Sequence, residues 1–111
     1  MIERYILNAR GEPVECPDSG AWASWQDSRR DGSNTAWIVG KTQVGEGVEV
    51  STVFMTHDHD FSGKGPPVLW ETLVFGGVLD GEMDRYCTRA EAEAGHKEMV
   101  ERVKAAEGAV R

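Results

Sequence analysis

The chain has 111 residues, 40% hydrophobic and 28% charged, which suits one globular domain and excludes two. Its formal net charge is −7, from 19 acidic and 12 basic residues, and like-charge repulsion from phosphates disfavours generic DNA or RNA binding. The same charge serves solubility or suits a partner with a basic surface.

In chain order, Ile2 to Leu7 reads as a strand, with Ile2, Tyr5, Ile6 and Leu7 supplying apolar surface. Asn8-Ala9-Arg10-Gly11 is turn chemistry, and Glu12 to Glu15 returns as a short strand that Pro13 confines to an edge. Asp18 or Ser19 caps a helix over about residues 20–29, with Ala21, Trp22 and Trp25 on one side. Thr35 to Val44 and Val48 to Thr56 form a hairpin around Gly45-Glu46-Gly47. The second half of the later strand is apolar on both faces, the pattern of a central strand. A loop rich in Gly and Pro spans His57 to Pro67, and Val68 to Phe75 is a further strand ending at Gly76-Gly77. Asp80-Gly81-Glu82-Met83-Asp84 reads as a solvated turn, too short for an EF-hand loop. Thr88-Arg89-Ala90-Glu91 matches a capping box and opens the last helix. Ala92, His96, Met99, Val103 and Ala106 form its inward stripe, and Gly108 is the expected stop. The expected fold is a single two-layer α+β domain over residues 1–111, one mainly antiparallel sheet with both helices on one face.

No run approaches the ~20 apolar residues of a membrane span. The first five residues lack the basic-then-apolar order of a signal peptide. Cys16 and Cys87 form no CxxC pair. The expected setting is the cytoplasm, with reduced thiols, no cofactor and no membrane.

The most chemically suggestive stretch is His57-Asp58-His59-Asp60. His57, Asp58 and His59 are weak metal-ligand candidates. The alternative is a polar loop in which Asp58 and Asp60 accept backbone N–H bonds. His96 is either a hydrogen-bonded core histidine or an acid–base group. Glu71 interrupts an apolar strand and either pairs with a cation such as Arg85 or joins a site. Gly63-Lys64-Gly65 and Gly76-Gly77 make neither a P-loop nor a dinucleotide-binding turn. Four tryptophans are many for this length; core packing explains most, and Trp22 and Trp25 are the candidate partner-binding residues.

Ser51-Thr52-Val53-Phe54, Asp58-His59, Phe61, Gly65-Pro66-Pro67, the run Leu69 to Gly77, Leu79-Asp80, Arg85-Tyr86, Thr88, Glu91-Ala92 and Gly95-His96 span most of the chain. Together they resemble an uncharacterised family of small proteins encoded by tailed phages and by prophage regions of bacterial, often actinobacterial, genomes. Ala21-Trp22-Ala23-Ser24-Trp25 is similar to that family's first helix. The resemblance implies phage origin and no named activity. The family pattern covers Asp58 and His59 but not His57 or Asp60, and it more often has serine at Cys87, against a four-ligand metal site and a thiol nucleophile.

Three functions follow as expectations. The first is an accessory protein that binds a host protein, for instance one acting in defence, with an acidic face occupying a basic groove. The second is a small enzyme or ligand-binding domain using His59, Glu71, Arg85 and His96, gathered at one end of the sheet. The third is a phage structural or assembly protein, with a homodimer left open.

Overall fold

The computed structural model describes residues 4–109. Ile2, placed in the first strand by its sequence pattern, lies outside them. The order is β1 (Tyr5–Leu7), β2 (Pro13–Glu15), α1 (Ser19–Arg30), β3 (Ile38–Gly45), β4 (Val48–Phe54), β5 (Trp70–Phe75), β6 (Met83–Tyr86) and α2 (Arg89–Ala109). The fold is a small α+β domain with antiparallel pairing throughout.

The expected single sheet is divided. β3-β4-β5-β6 form a four-stranded meander, and β1-β2 form a separate hairpin. The hairpin hooks onto the chain leaving β4, through Tyr5 N–H to Thr56 O at 2.9 Å and the bridge between Arg4 and His57.

β6 corrects the expected turn, since Met83 and Asp84 belong to a strand paired with Leu73 and Thr72. It is an edge strand exposed at Met83, Asp84 and Arg85, so it lacks the apolar alternation that marks half-buried strands.

α1 is capped by Asp18, whose carboxylate accepts from Gly20 and Ala21 N–H at 2.9 and 3.1 Å. α2 opens with the expected capping box: Glu91 N–H donates to Thr88 Oγ1, and Thr88 N–H donates to Glu91 Oε1, both at 3.1 Å. Thr88→Ala leaves one of these donors unmet, and we expect it to cost about 1 kcal/mol, read as a shift of the urea midpoint at unchanged slope. A loss below a few tenths would show that the cap adds nothing to a helix already held by packing. Gly108 does not stop α2, which continues to Ala109; a glycine ends a helix by turning to positive φ, and Gly108 does not.

Strand alternation sorts the sheet's two faces. Val48, Val50, Thr52 and Phe54 of β4, with Trp70, Thr72 and Val74 of β5, are all buried. Ala92, Met99, Val100 and Val103 of α2 close over them. α1 adds Trp25, edge-on to Phe54 with centroids 5.7 Å apart, so both helices serve the same face. The shortest molecular axis is 22 Å, enough for two layers and no third.

Candidate functional site

The core falls into two apolar clusters, one around Phe54, Trp70 and Ala92, the other around Val50, Val74 and Met99. A polar band runs between them. Thr52 and Thr72 lie midway along β4 and β5, and His96 lies midway between the two apolar patches of α2. His96 Nε2 is 2.8 Å from Thr42 Oγ1, and His96 Nδ1 is 2.7 Å from Thr52 Oγ1. Thr52 Oγ1 lies 2.6 Å from Thr72 Oγ1, which accepts from the Tyr86 hydroxyl at 3.0 Å.

Each hydroxyl carries one proton. With Tyr86 donating to Thr72, and with the Thr72 hydroxyl proton used within the band, the protons run one way: Thr72 to Thr52, Thr52 to His96 Nδ1, and His96 Nε2–H to Thr42, which is the neutral Nε2–H tautomer. Two glycines make room for it: a Cβ at Gly40 would press on the imidazole, and one at Gly95 would run into the Tyr86 hydroxyl.

Of the charged residues of the strands beneath, Lys41, Glu49, Glu71 and Arg85 alternate onto the opposite face, whereas Asp84 lies on the helix side, 3.9 Å from Arg102. Burial alone lowers the His96 pKa. His57 is also lowered, by burial first, then by His59 and Arg4.

The sign of the pH dependence follows. As pH falls below about 6.5, the unfolded imidazoles take up protons before the folded ones do, so the unfolded state is favoured. Stability is full above that pH and is lost progressively as pH falls toward the depressed folded values. We expect denaturant unfolding at pH 5 and 7.5 to show this slope, and His96→Gln to remove much of it. An identical slope in that variant would place the titration elsewhere.

His59, Glu71, Arg85 and His96 do not form the expected cluster. Glu71 accepts from Arg85 Nε at 3.0 Å, the expected pairing. That pair sits on the open face of the sheet, whereas His96 is bonded on the helix-covered face. Thr72 and Glu71 are adjacent in a strand and so point to opposite sides. His59 stays in its loop, with Nδ1 2.9 Å from its neighbour's carbonyl, His57 O.

The His57–Asp60 loop is held by its own carboxylates. Asp58 Oδ1 accepts from Asp60 and Val68 N–H, at 2.8 and 2.9 Å. Asp60 accepts from the Ser62 hydroxyl, from Ser62 N–H at 3.1 Å and from Gly65 N–H at 3.0 Å, and these bonds lower its pKa, the Ser62 hydroxyl first. Among the described residues no group of three His, Cys, Asp or Glu side chains is placed to hold a metal ion. Burial first, then Glu91, Asp60 and Asp58, raise the Cys87 thiol, the opposite of an activated nucleophile.

Trp22 and Trp25 face inward and are half-buried. Trp22 Nε1–H donates to Thr56 O at 3.2 Å, and its ring meets His57 at 5.0 Å. The exposed large apolar residues are elsewhere: Val14, Phe61, Phe75, Val78 and Met83. Phe75 and Met83, at 50% and 46% exposure, belong with Val53 and Leu73 on the sheet face that α2 does not cover. Trp37, Lys41, Val53, Glu71, Leu73 and Phe75 line a depression there of about 360 Å³.

The sequence reading missed this face. The alternation of Glu49, Ser51, Val53 was visible, but an alternating strand does not announce which side a helix covers. Comparison with family models, with curated proteins and with solved structures gives no match to this chain.

Proposed function

We propose that this chain is a non-enzymatic protein-binding module, a phage- or prophage-derived accessory protein that engages a host protein through the open face of its four-stranded sheet. The observation that carries this is the half-exposed apolar surface of Phe75 and Met83 beside a depression lined by Trp37, Val53, Leu73 and Phe75. Surfaces of this kind mark interaction sites, and aromatic side chains in partly formed pockets supply most of the binding energy.

The chemically potent groups are otherwise engaged. His96 is consumed by threonines, Glu71 by Arg85, and Asp58 and Asp60 by backbone N–H groups. That weighs against the alternative of an enzyme using His59, Glu71, Arg85 and His96. A second copy is a poorer occupant than a different protein, because two chains of net charge −7 repel one another. The phage origin rests on the sequence resemblance.

The test is capture from host lysate with tagged chain and with a Phe75→Glu, Met83→Glu variant, compared by mass spectrometry, alongside the mass of the purified chain in solution. A host protein retained by the parent and lost by the variant supports the reading. Equal capture by both, or a dimer that the variant dissociates, overturns it.

A further inference from the structure

α1 ends in two adjacent guanidiniums, and one of them meets no acid. Arg30 pairs with Asp27 at 3.5 Å. Arg29 is half-buried, lies 4.5 Å over the Trp37 ring and donates to Gln26 Oε1 at 3.0 Å. It makes no ion pair among the described residues.

Acids are not scarce in this chain, with 19 of them, so the missing counter-charge is a local arrangement. Asp31, the residue after α1, accepts from Ser33 N–H at 2.8 Å and makes no ion pair among the described residues. Burial first, and Arg30 second, lower the Arg29 pKa, as befits a cation held without compensation. Lys41, 5.5 Å from the Trp37 centroid, is a second cation that makes no ion pair among the described residues. Arg89 reaches the same corner, donating to Ala36 O at 3.4 Å, but it already pairs with Glu93.

A cleft of about 230 Å³ opens between Gln26, Arg29, Arg30 and Trp37. Trp37 is shared with the depression of the open sheet face. A guanidinium offers five N–H donors in a planar fork that matches carboxylate or phosphate. Gln26 occupies one of them and fixes the group's direction.

We propose that this cleft binds an oxyanion, carboxylate or phosphate, carried on an apolar body: the oxyanion takes the Arg29 fork, and the body crosses Trp37 onto Val53 and Leu73. The proposal rests on the reading of the sheet face as a binding surface, and it gives the partner a chemistry, an apolar group beside an anionic one.

The experiment is NMR titration of the whole labelled chain with phenyl phosphate and with 3-phenylpropionate. Benzyl alcohol and inorganic phosphate supply the apolar and anionic halves alone. Saturable, concerted shifts of the Trp37 indole N–H, the Arg29 Nε–H and a Leu73 methyl are expected with at least one aromatic anion. The tighter of the two identifies phosphate or carboxylate. Each half alone should bind at least about tenfold more weakly, and Arg29→Gln should weaken the anion by about tenfold or more. Arg29→Lys, which keeps charge but loses the fork, should fall between. No saturable shift with either anion overturns the proposal, as does an Arg29→Gln variant of intact fold and undiminished affinity. If the glutamine variant does not fold, equal binding of benzyl alcohol and the anions by the parent overturns it, and weaker binding of benzyl alcohol upholds it. Host-protein capture that depends on Phe75, without anion binding, would end this proposal and leave the sheet-face reading standing. Anion binding without capture would do the reverse.

Discussion

His96→Ala is expected to destabilise the fold by about 2–3 kcal/mol, a fall in melting temperature of about 10–15 °C. The imidazole is the keystone of the polar band, meeting Thr42 through one nitrogen and Thr52 through the other. Removing it strands the fully buried Thr52 hydroxyl and opens space between the two apolar clusters. An unmet buried donor costs about 1–3 kcal/mol, and the lost packing adds to it.

The members of the band make different numbers of bonds within it, so their removal should cost different amounts. Thr52→Val breaks the middle and leaves His96 Nδ1 without its donor, at about 1–3 kcal/mol. Tyr86→Phe removes only a terminal donor, from a half-buried residue, and the Thr72–Thr52 bond remains; about 1 kcal/mol or less is expected. Thermal and urea unfolding of the three variants checks the order. Equal losses for Tyr86→Phe and Thr52→Val would contradict this ranking, and a His96→Ala variant as stable as the parent would remove the band from the account of stability.

The second large effect is on binding. Phe75→Glu and Met83→Glu put charge where apolar surface is half-exposed, at 50% and 46%. Each should weaken capture of the proposed partner at least about tenfold, since burying an unpaired carboxylate at an interface costs more than the 1.4 kcal/mol that a factor of ten represents. Stability should move by less than about 0.5 kcal/mol, because neither residue belongs to the buried core and exposed substitutions rarely do more. His96→Ala should show the opposite pattern, a lower melting temperature with unchanged affinity at temperatures where it remains folded. Affinity measured by calorimetry, with melting curves on the same samples, separates the two. A variant at Phe75 that melts early and still binds would reverse the assignment of the faces.

Local patterns carried much of this architecture in the sequence alone. The capping box at Thr88 and the cap at Asp18 are contacts within four residues, legible because their chemistry is local. The turn at Gly45-Glu46-Gly47 set the β3–β4 pairing. The two-sided apolar halves of β4 and β5 marked them as central, and Glu71 in an apolar strand called for the cation it finds in Arg85. β6 was illegible because an edge strand exposed on both sides has no periodicity to read.

What tertiary structure alone decided was which side each residue joined. Glu71 and Thr72 are neighbours in sequence, yet one faces solvent with Arg85 and the other lies in the buried band, because strand side chains alternate and α2 covers only one face. The same alternation separates His96 from the Glu71–Arg85 pair, so no reasoning from sequence proximity would have dispersed that expected cluster. Arg29, in α1, and Trp37, in the connection before β3, are eight positions apart and meet only because that connection folds the chain back over the helix end. Charge without a counter-charge is a property of that meeting, absent from either residue alone.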